Sequence, residues 1–452
     1  MNRPMYEMLS SAAGRGSFHM PGHKGRGPFG ALDPFPLDTT ELPLTDDFYC
    51  PEGAIRRAQA LYAQAAGAGA TLFLHNGSTA GIHAMLQLWA GEGDAVLLPR
   101  NAHLSAANAC ILGGLEPVWM PVTQRPDGYC FLAERTVLDA IEGHPEAKTL
   151  LLTRPDFYGG CLPLEKIVAA AHARGMRVVV DEAHGAHLPW LAGLPSAGAC
   201  GADAWTQSVH KTLPGFTGSA VLHLRDAADE SAALRILRRE QTSSPSFLLM
   251  LSIDDARAFM EEADGRVRLA RVAEAANALC SRLTGGPYRD AHASWADTGQ
   301  RFDPTRLVLD APQGGPALAK ALQARGVDVE MTDPARAVFI LSCMDEPADI
   351  LRLADILAEI PAAQAPRPAL PPRLPLPPRA MSLRRAALAP GEPVPASRAA
   401  GRVAAASAGL YPPGIPLVCP GEIIPQDVAD RLAAASPRQR FGMEGDCLLC
   451  VR

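Results

Sequence analysis

Between residues 70 and 225 the chain alternates short apolar runs with amphipathic helical stretches, and this alternation limits the fold more than any other feature. The runs TLFLH, DAVLLP, PVWMPV, TLLLT, RVVVD, DAWTQS and SAVLHL read as strands. Over Gly81 to Ala90, Ile82, Met85, Leu86 and Trp89 keep the i, i+3, i+4, i+7 spacing of a single buried helical face. Strands joined by crossover helices form a mostly parallel sheet, so the expected class is α/β. A second, smaller α/β unit follows, with RLVLDA, ALAKALQARG, VDVEM and AVFILSC in sequence. The expected organisation is a large domain over residues 1–300, its N-terminal segment 1–65 included, and a small domain over 301–360. A linker then spans 361–379 and a C-terminal domain 380–452. The linker carries eight prolines in 19 residues, which rules out a helix or a central strand. A stiff spacer is expected there, with a PxxP ligand as the other reading.

The stretch RVVVDEAHGAH, Arg177 to His187, contains the letters of a nucleic-acid helicase motif. An acidic magnesium ligand serves ATP only beside a glycine-rich phosphate cradle ending in Gly-Lys, and no Gly-Lys pair occurs in the 452 residues. With 42 Lys and Arg against 48 Asp and Glu, the net charge is -6 and no basic block is present to neutralise phosphates. Nucleic acid is therefore not an expected partner. No apolar run approaches the roughly 18 to 20 residues that span a bilayer, so a membrane is not expected either. Ten scattered cysteines and an N-terminus without an apolar signal core point to a reduced cytoplasm. Cys447 and Cys450, three apart in CLLCVR, would point to opposite faces of a strand, and no metal is expected there or elsewhere.

In an open parallel sheet the functional crevice lies beyond the carboxyl ends of the strands, so the polar residues that cap them face one another. After LFLHN come Gly77, Ser78 and Thr79, then a helix. Free amides and two hydroxyls at a helix N-terminus suit a phosphate, the bland alternative being plain N-capping by Ser78 or Thr79. Asp181 ends RVVV, and TQSVHK brings Ser208, His210 and Lys211 behind another strand. PRNAHLS sets His103 at the mouth of the same crevice. Taken singly, these are a helix cap, a surface lysine and a structural histidine. Together they ask for one ligand with a phosphate, a cationic ring nitrogen, an aldehyde and a flat ring face, which describes pyridoxal 5′-phosphate.

At these positions the chain resembles the Orn/Lys/Arg decarboxylase family of fold-type I pyridoxal-phosphate enzymes, in its shorter form without an N-terminal wing. The resemblance is carried by FHMPGHKG, NGSTAG, PRNAHLS, VVVDEAHGAH, TQSVHKTL, SSPSFLLMLSID and YPPGIPLVCPGE, and it extends over nearly the whole chain. It implies a fold-type I large domain, a small α/β domain and the family's C-terminal domain. It also implies that Lys211 bonds the cofactor aldehyde, that Asp181 pairs with the ring nitrogen, and that His103 stacks on the ring. Ser78, Thr79, Ser208 and His210 would hold the phosphate, with His184 close by. The implied reaction is decarboxylation of arginine, lysine or ornithine to an amine, with Lys211 or His184 returning a proton to Cα. A homodimer or larger homo-oligomer is the assembly that goes with it.

Some positions depart from the family pattern. Arg154, Asp156 and Phe157 stand where small polar residues and tyrosine are usual, and Pro214 and Gly218 follow the lysine where a small residue and a glutamine are expected. Ala406 stands where relatives carry a glutamate, and Asp156 or Glu422 is expected to supply the missing charge. Arg154 keeps open an aminotransferase or lyase reading, as a clamp for an α-carboxylate. A catalytically silent binding protein of the same fold would have lost Lys211 or Asp181, and both are present.

Overall fold

The computed structural model describes residues 16–24, 26, 34–42, 45–361, 375–410 and 414–452. Most of the proline-rich linker and the first three residues of YPPGIP lie outside them. The seven apolar runs form one seven-stranded sheet, in the spatial order Ala70–Leu74, Ala220–Leu224, Ala204–Gln207, Arg177–Asp181, Thr149–Thr153, Ala95–Pro99, Glu116–Met120. All neighbours are parallel except around Ala220–Leu224, which runs antiparallel to both strands beside it. The helix-separated alternation predicts the parallel strands correctly. The reversal arises because only residues 208–219, with one four-residue helix, separate Gln207 from Ala220. Those twelve residues hold no helix long enough to run back along the sheet, as a parallel crossover requires, so the chain makes a return.

The strands read as continuous apolar runs because both faces are covered. Leu72, Leu74, Val96, Leu98, Leu151, Val179 and Leu222 pack under the helices Gly77–Leu88, Leu104–Gly113 and Glu230–Glu240. Their alternates Phe73, Leu97, Leu150, Leu152, Val178, Val180 and Val221 pack against Ala54–Ala66, Glu134–Gly143, Glu165–His172 and Phe247–Glu261. The two-residue period of a strand thus builds the two cores of a three-layer molecule.

A four-stranded antiparallel sheet, in the order Arg289–Asp290, Arg306–Asp310, Arg336–Ile340, Met331–Thr332, forms the small unit. Its core is shared with the long helix Ala263–Leu283 and with Phe18, whose strand Gly16–Phe18 pairs with Val327–Val329. The C-terminal residues have their own apolar cluster around Val418, Ile424, Val428 and Leu448, in which Cys447–Val451 is a strand. Arg100 anchors this unit to the large one. Its guanidinium meets both oxygens of Glu422 at 2.8 Å and lies 5.0 Å from the Trp119 ring.

The large and small units are clamped by an aromatic stack. Trp295, fully buried, lies 4.0 Å from the Tyr129 ring, with the Arg336 guanidinium 5.0 Å from the indole. Arg336 is in turn paired with Asp310, Asp127 and Asp333. Trp295→Ala should therefore cost about 3–5 kcal/mol of unfolding free energy, measured by urea titration. A loss below about 1 kcal/mol would mean that the stack does not hold the two units together.

Candidate active site

The carboxyl ends of neighbouring strands bring the chemistry together, as the sheet geometry demands. Asp181 is the last residue of Arg177–Asp181 and is paired in register with Thr206 on the next strand. That strand ends at Gln207 and is followed by Ser208 and the short helix Val209–Thr212, which carries His210 and Lys211. The turn after Asp181 holds His184, whose Nε2 lies 3.2 Å from Lys211 Nζ. Asp181 is 5% exposed, and its Oδ1 accepts from Ala183 N at 3.1 Å. Among the described residues no basic side chain forms an ion pair with it.

Two further loops close the cleft. The helix Gly77–Leu88 begins after Asn76, which provides no side-chain cap. Ser78 does not cap either. Its hydroxyl accepts from Ser208 Oγ at 2.9 Å, which ties the helix N-terminus to the end of the lysine strand. Thr79 is half-buried in the same first turn. Gly77 sits at φ +63°, where a Cβ is strained, and Gly218, at φ +97° on the facing loop, is in a region that only glycine enters readily. That backbone angle accounts for Gly218 at a position where the resemblance calls for glutamine. His103 is the N-cap of Leu104–Gly113, its Nδ1 accepting from Ser105 N at 3.2 Å while its ring stays open to solvent. His210 directs Nδ1–H at the Ser219 carbonyl, 2.9 Å away.

Two site residues were not foreseen from sequence, and both come from the small unit. Arg306 opens the strand Arg306–Asp310, is 2% exposed, and donates from Nη2 to His184 Nδ1 at 3.1 Å. Glu330 accepts from Met20 N at 2.9 Å through one oxygen and acts electrostatically on Lys211, Arg306 and Lys24. The available signal was a basic residue opening an apolar strand, RLVLD, and an acid interrupting VDVEM. Burial lowers the Lys211 pKa, opposed by Asp181 and Glu330 and assisted by Arg306, with a net shift downward. The surrounding cleft walls partly desolvate His103 although the residue is exposed at the mouth, which lowers it, with Asp181 and Lys211 acting in opposite directions; burial holds His184 well below the ordinary histidine value.

Three expectations are corrected. Arg154 is no carboxylate clamp: it is 2% exposed, donates from Nε to Leu162 O at 3.1 Å, and pairs with Glu182 at 3.4 Å. Glu422 has no charge to offer a substrate, because Arg100 takes both its oxygens. Asp156 is fully engaged, accepting from Tyr129 Oη at 2.6 Å and from Tyr158 N and Gly160 N at 2.9 and 2.8 Å. These partners make the loop rigid, and Phe157 packs edge-on against His184 with 5.2 Å between ring centroids.

Burial raises Asp156 from the ordinary aspartate range to about 6, against the pull of its hydrogen-bond donors. An acid whose folded pKa is raised stabilises the fold at low pH, and that contribution disappears as pH rises through the folded value. Asn has no charge, keeps both backbone contacts through Oδ1 and reverses the third, its Nδ2–H donating to Tyr129 Oη. The stability of wild type relative to Asp156→Asn should fall by about 3 kcal/mol between pH 4 and pH 7, read from urea midpoints. Parallel stability curves would contradict this.

The architecture is that of fold-type I enzymes, with the reactive groups at the carboxyl edge of a mostly parallel sheet and a small domain closing over them. Lysine decarboxylase A from Pseudomonas aeruginosa shares it, at a TM-score of 0.76 and 20% identity over 99% of this chain and 80% of that one. Residues 3–285 match the Orn/Lys/Arg decarboxylase major domain, and residues 376–438 match the C-terminal domain of the same family. An arginine decarboxylase from Bacillus subtilis is 32% identical over 99% of this chain and 97% of its own length. The uncharacterised protein YaaO of the same organism is 33% identical over 96% of this chain and 94% of its own. This chain belongs to the Orn/Lys/Arg decarboxylase family.

Proposed function

We propose that this protein decarboxylates a basic amino acid, arginine, lysine or ornithine, to the corresponding amine with pyridoxal 5′-phosphate as cofactor. The observation that carries this reading is Lys211, desolvated and without an ion-pair partner among the described residues, beside the equally unpaired carboxylate of Asp181. An amine so held fits an aldehyde, and a carboxylate so held fits a cationic ring nitrogen. The uncapped start of Gly77–Leu88, with the hydroxyls of Ser78, Thr79 and Ser208 beside it, fits a phosphate. His210 complements it, and the open ring of His103 offers a flat face for stacking. When bound, pyridoxal phosphate supplies a ring that accepts the electron pair left as the α-carboxylate departs as carbon dioxide.

The protein's own groups define the rest. Asp181 would keep a proton on the ring nitrogen, Lys211 would hold the aldehyde carbon, and the small unit would cover the cleft and exclude water. Glu330 is the acid we assign to the distal cation of the substrate. It is half-buried, one of its oxygens is committed to a single backbone N–H, and its charge acts on Lys211. Arg154, Asp156 and Glu422 are each held elsewhere by their own partners. The buried Arg154 also removes the feature that favoured an aminotransferase. None of the ten cysteines is in a disulfide, which suits a reducing cytoplasm, and no described helix is long and apolar enough to cross a membrane. A homodimer formed at the lysine loop, where Phe216 is 41% exposed, is the assembly we favour.

The test is mass-spectrometric detection of agmatine, cadaverine or putrescine after purified protein with pyridoxal phosphate meets arginine, lysine and ornithine separately. An amine formed by wild type and not by Lys211→Ala is expected, and no amine from any of the three would overturn the proposal. Glu330→Gln should raise KM for the preferred substrate about tenfold to a hundredfold, the worth of one charge-assisted hydrogen bond. An unchanged KM would remove Glu330 from the substrate site.

A further inference from the structure

Three side chains from three parts of the fold stand in line beneath the cleft: Arg306 on the small unit, His184 after strand Arg177–Asp181, and Lys211 after strand Ala204–Gln207. Arg306 Nη2 lies 3.1 Å from His184 Nδ1, and His184 Nε2 lies 3.2 Å from Lys211 Nζ. The donor and acceptor inventory of these groups admits one arrangement of protons. A guanidinium has five N–H donors, no lone pair to accept with, and does not deprotonate in a protein. His184 Nδ1 facing it must therefore be the unprotonated nitrogen. A neutral imidazole then carries its proton on Nε2, the atom that faces Lys211. An ammonium has only donors, so Nε2–H opposite a charged lysine would set N–H against N–H. The arrangement closes only when Lys211 is an amine whose lone pair accepts from Nε2–H.

We propose that Arg306 is a positioning residue that, through His184, keeps Lys211 as an uncharged, nucleophilic amine. Arg306 is suited to this because Asp303, Glu330 and Asp156 act on its guanidinium through charge and none of them takes a hydrogen bond from it. Nε and Nη1 are buried with no hydrogen-bond acceptor among the described residues, so the bond to His184 is the side chain's one hydrogen bond there. Phe157 packs against the His184 ring and limits its rotation. The charged groups facing Lys211 are Asp181 and Glu330, which favour the ammonium, and Arg306, which disfavours it. Those facing His184 are Lys211, Arg306, His103 and His210, all of which oppose an imidazolium, as does burial. Asp181 and Glu330 together outnumber Arg306, so it is burial and the hydrogen-bond geometry, not the sum of the charges, that leave Lys211 an amine. The consequence for the reaction rests on the reading of Lys211 as the aldehyde-bonding group, but the proton arrangement does not.

The experiment reads the lysine itself. The full-length chain, freed of cofactor, is trace-labelled with acetic anhydride across a pH series, and acylation of Lys211 is compared by peptide mass spectrometry with that of the exposed Lys148 and Lys166. In wild type the midpoint for Lys211 should lie at least about one pH unit below theirs, a tenfold excess of uncharged amine at any lower pH. His184→Leu leaves the Arg306 charge in place and breaks the line, so it should return the midpoint toward the exposed lysines, as should Arg306→Met. Arg306→Lys, which restores a charged donor, should recover part of the shift. A His184→Leu midpoint equal to wild type would overturn the proposal, since the effect would then be direct charge repulsion. A check on the unmutated chain uses the ¹⁵N shifts of His184. Above the Lys211 midpoint the Nε2–H tautomer should be the one present, and an Nδ1–H tautomer or an imidazolium there would contradict the relay. Failure to bind pyridoxal phosphate would sink the proposed function and leave these readouts intact.

Discussion

A lysine taken out of water without a carboxylate in contact loses much of the reason to stay protonated, and the site is organised around one such residue. Lys211 is desolvated by the sheet edge, by the turn that carries His184, and by the small unit. The neighbouring groups are graded around it. Asp181 and Glu330 are close enough to act on the charge but do not form an ion pair with it, and Arg306 opposes the charge. A salt bridge at this position would make the lysine stable and inert.

This arrangement needs both layers of the molecule. The parallel sheet aligns Asp181 with the strand preceding Lys211, since register Thr206 to Asp181 sets the two strand ends side by side. The small unit contributes Arg306 and Glu330, so the distance between the two units matters for the charge on the lysine. The Trp295, Tyr129 and Arg336 stack fixes that distance. Tyr129 continues through its bond to Asp156 into the loop whose Phe157 touches His184. Packing at the rim of the domains and protonation in the cleft are thus connected through a few rigid contacts.

Much of this was legible in the sequence because its signals are local. Strand ends followed by NGST, DEAH and SVHK announce a crevice of one chemical theme, and the observed cleft draws on each of them. What was not legible depends on long-range contacts. Arg306 and Glu330 are 95 and 119 residues beyond Lys211 in the chain, and nothing in RLVLD or VDVEM states which way those side chains face. Arg154 misled because a basic residue at a strand end looks available until its partner Glu182 is seen on the far side of the strand. Glu422 misled for the same reason, its partner Arg100 lying 322 residues away.

The central claim is that Lys211 is the group that bonds an aldehyde cofactor. The chain has only five lysines, so the claim is directly open to reductive trapping. Full-length protein loaded with pyridoxal phosphate is reduced with borohydride, digested and mapped by mass spectrometry. The account predicts the added mass on the peptide containing Lys211 and on no other. Mass on the buried Lys24 or on a surface lysine, with Lys211 unmodified, would contradict it.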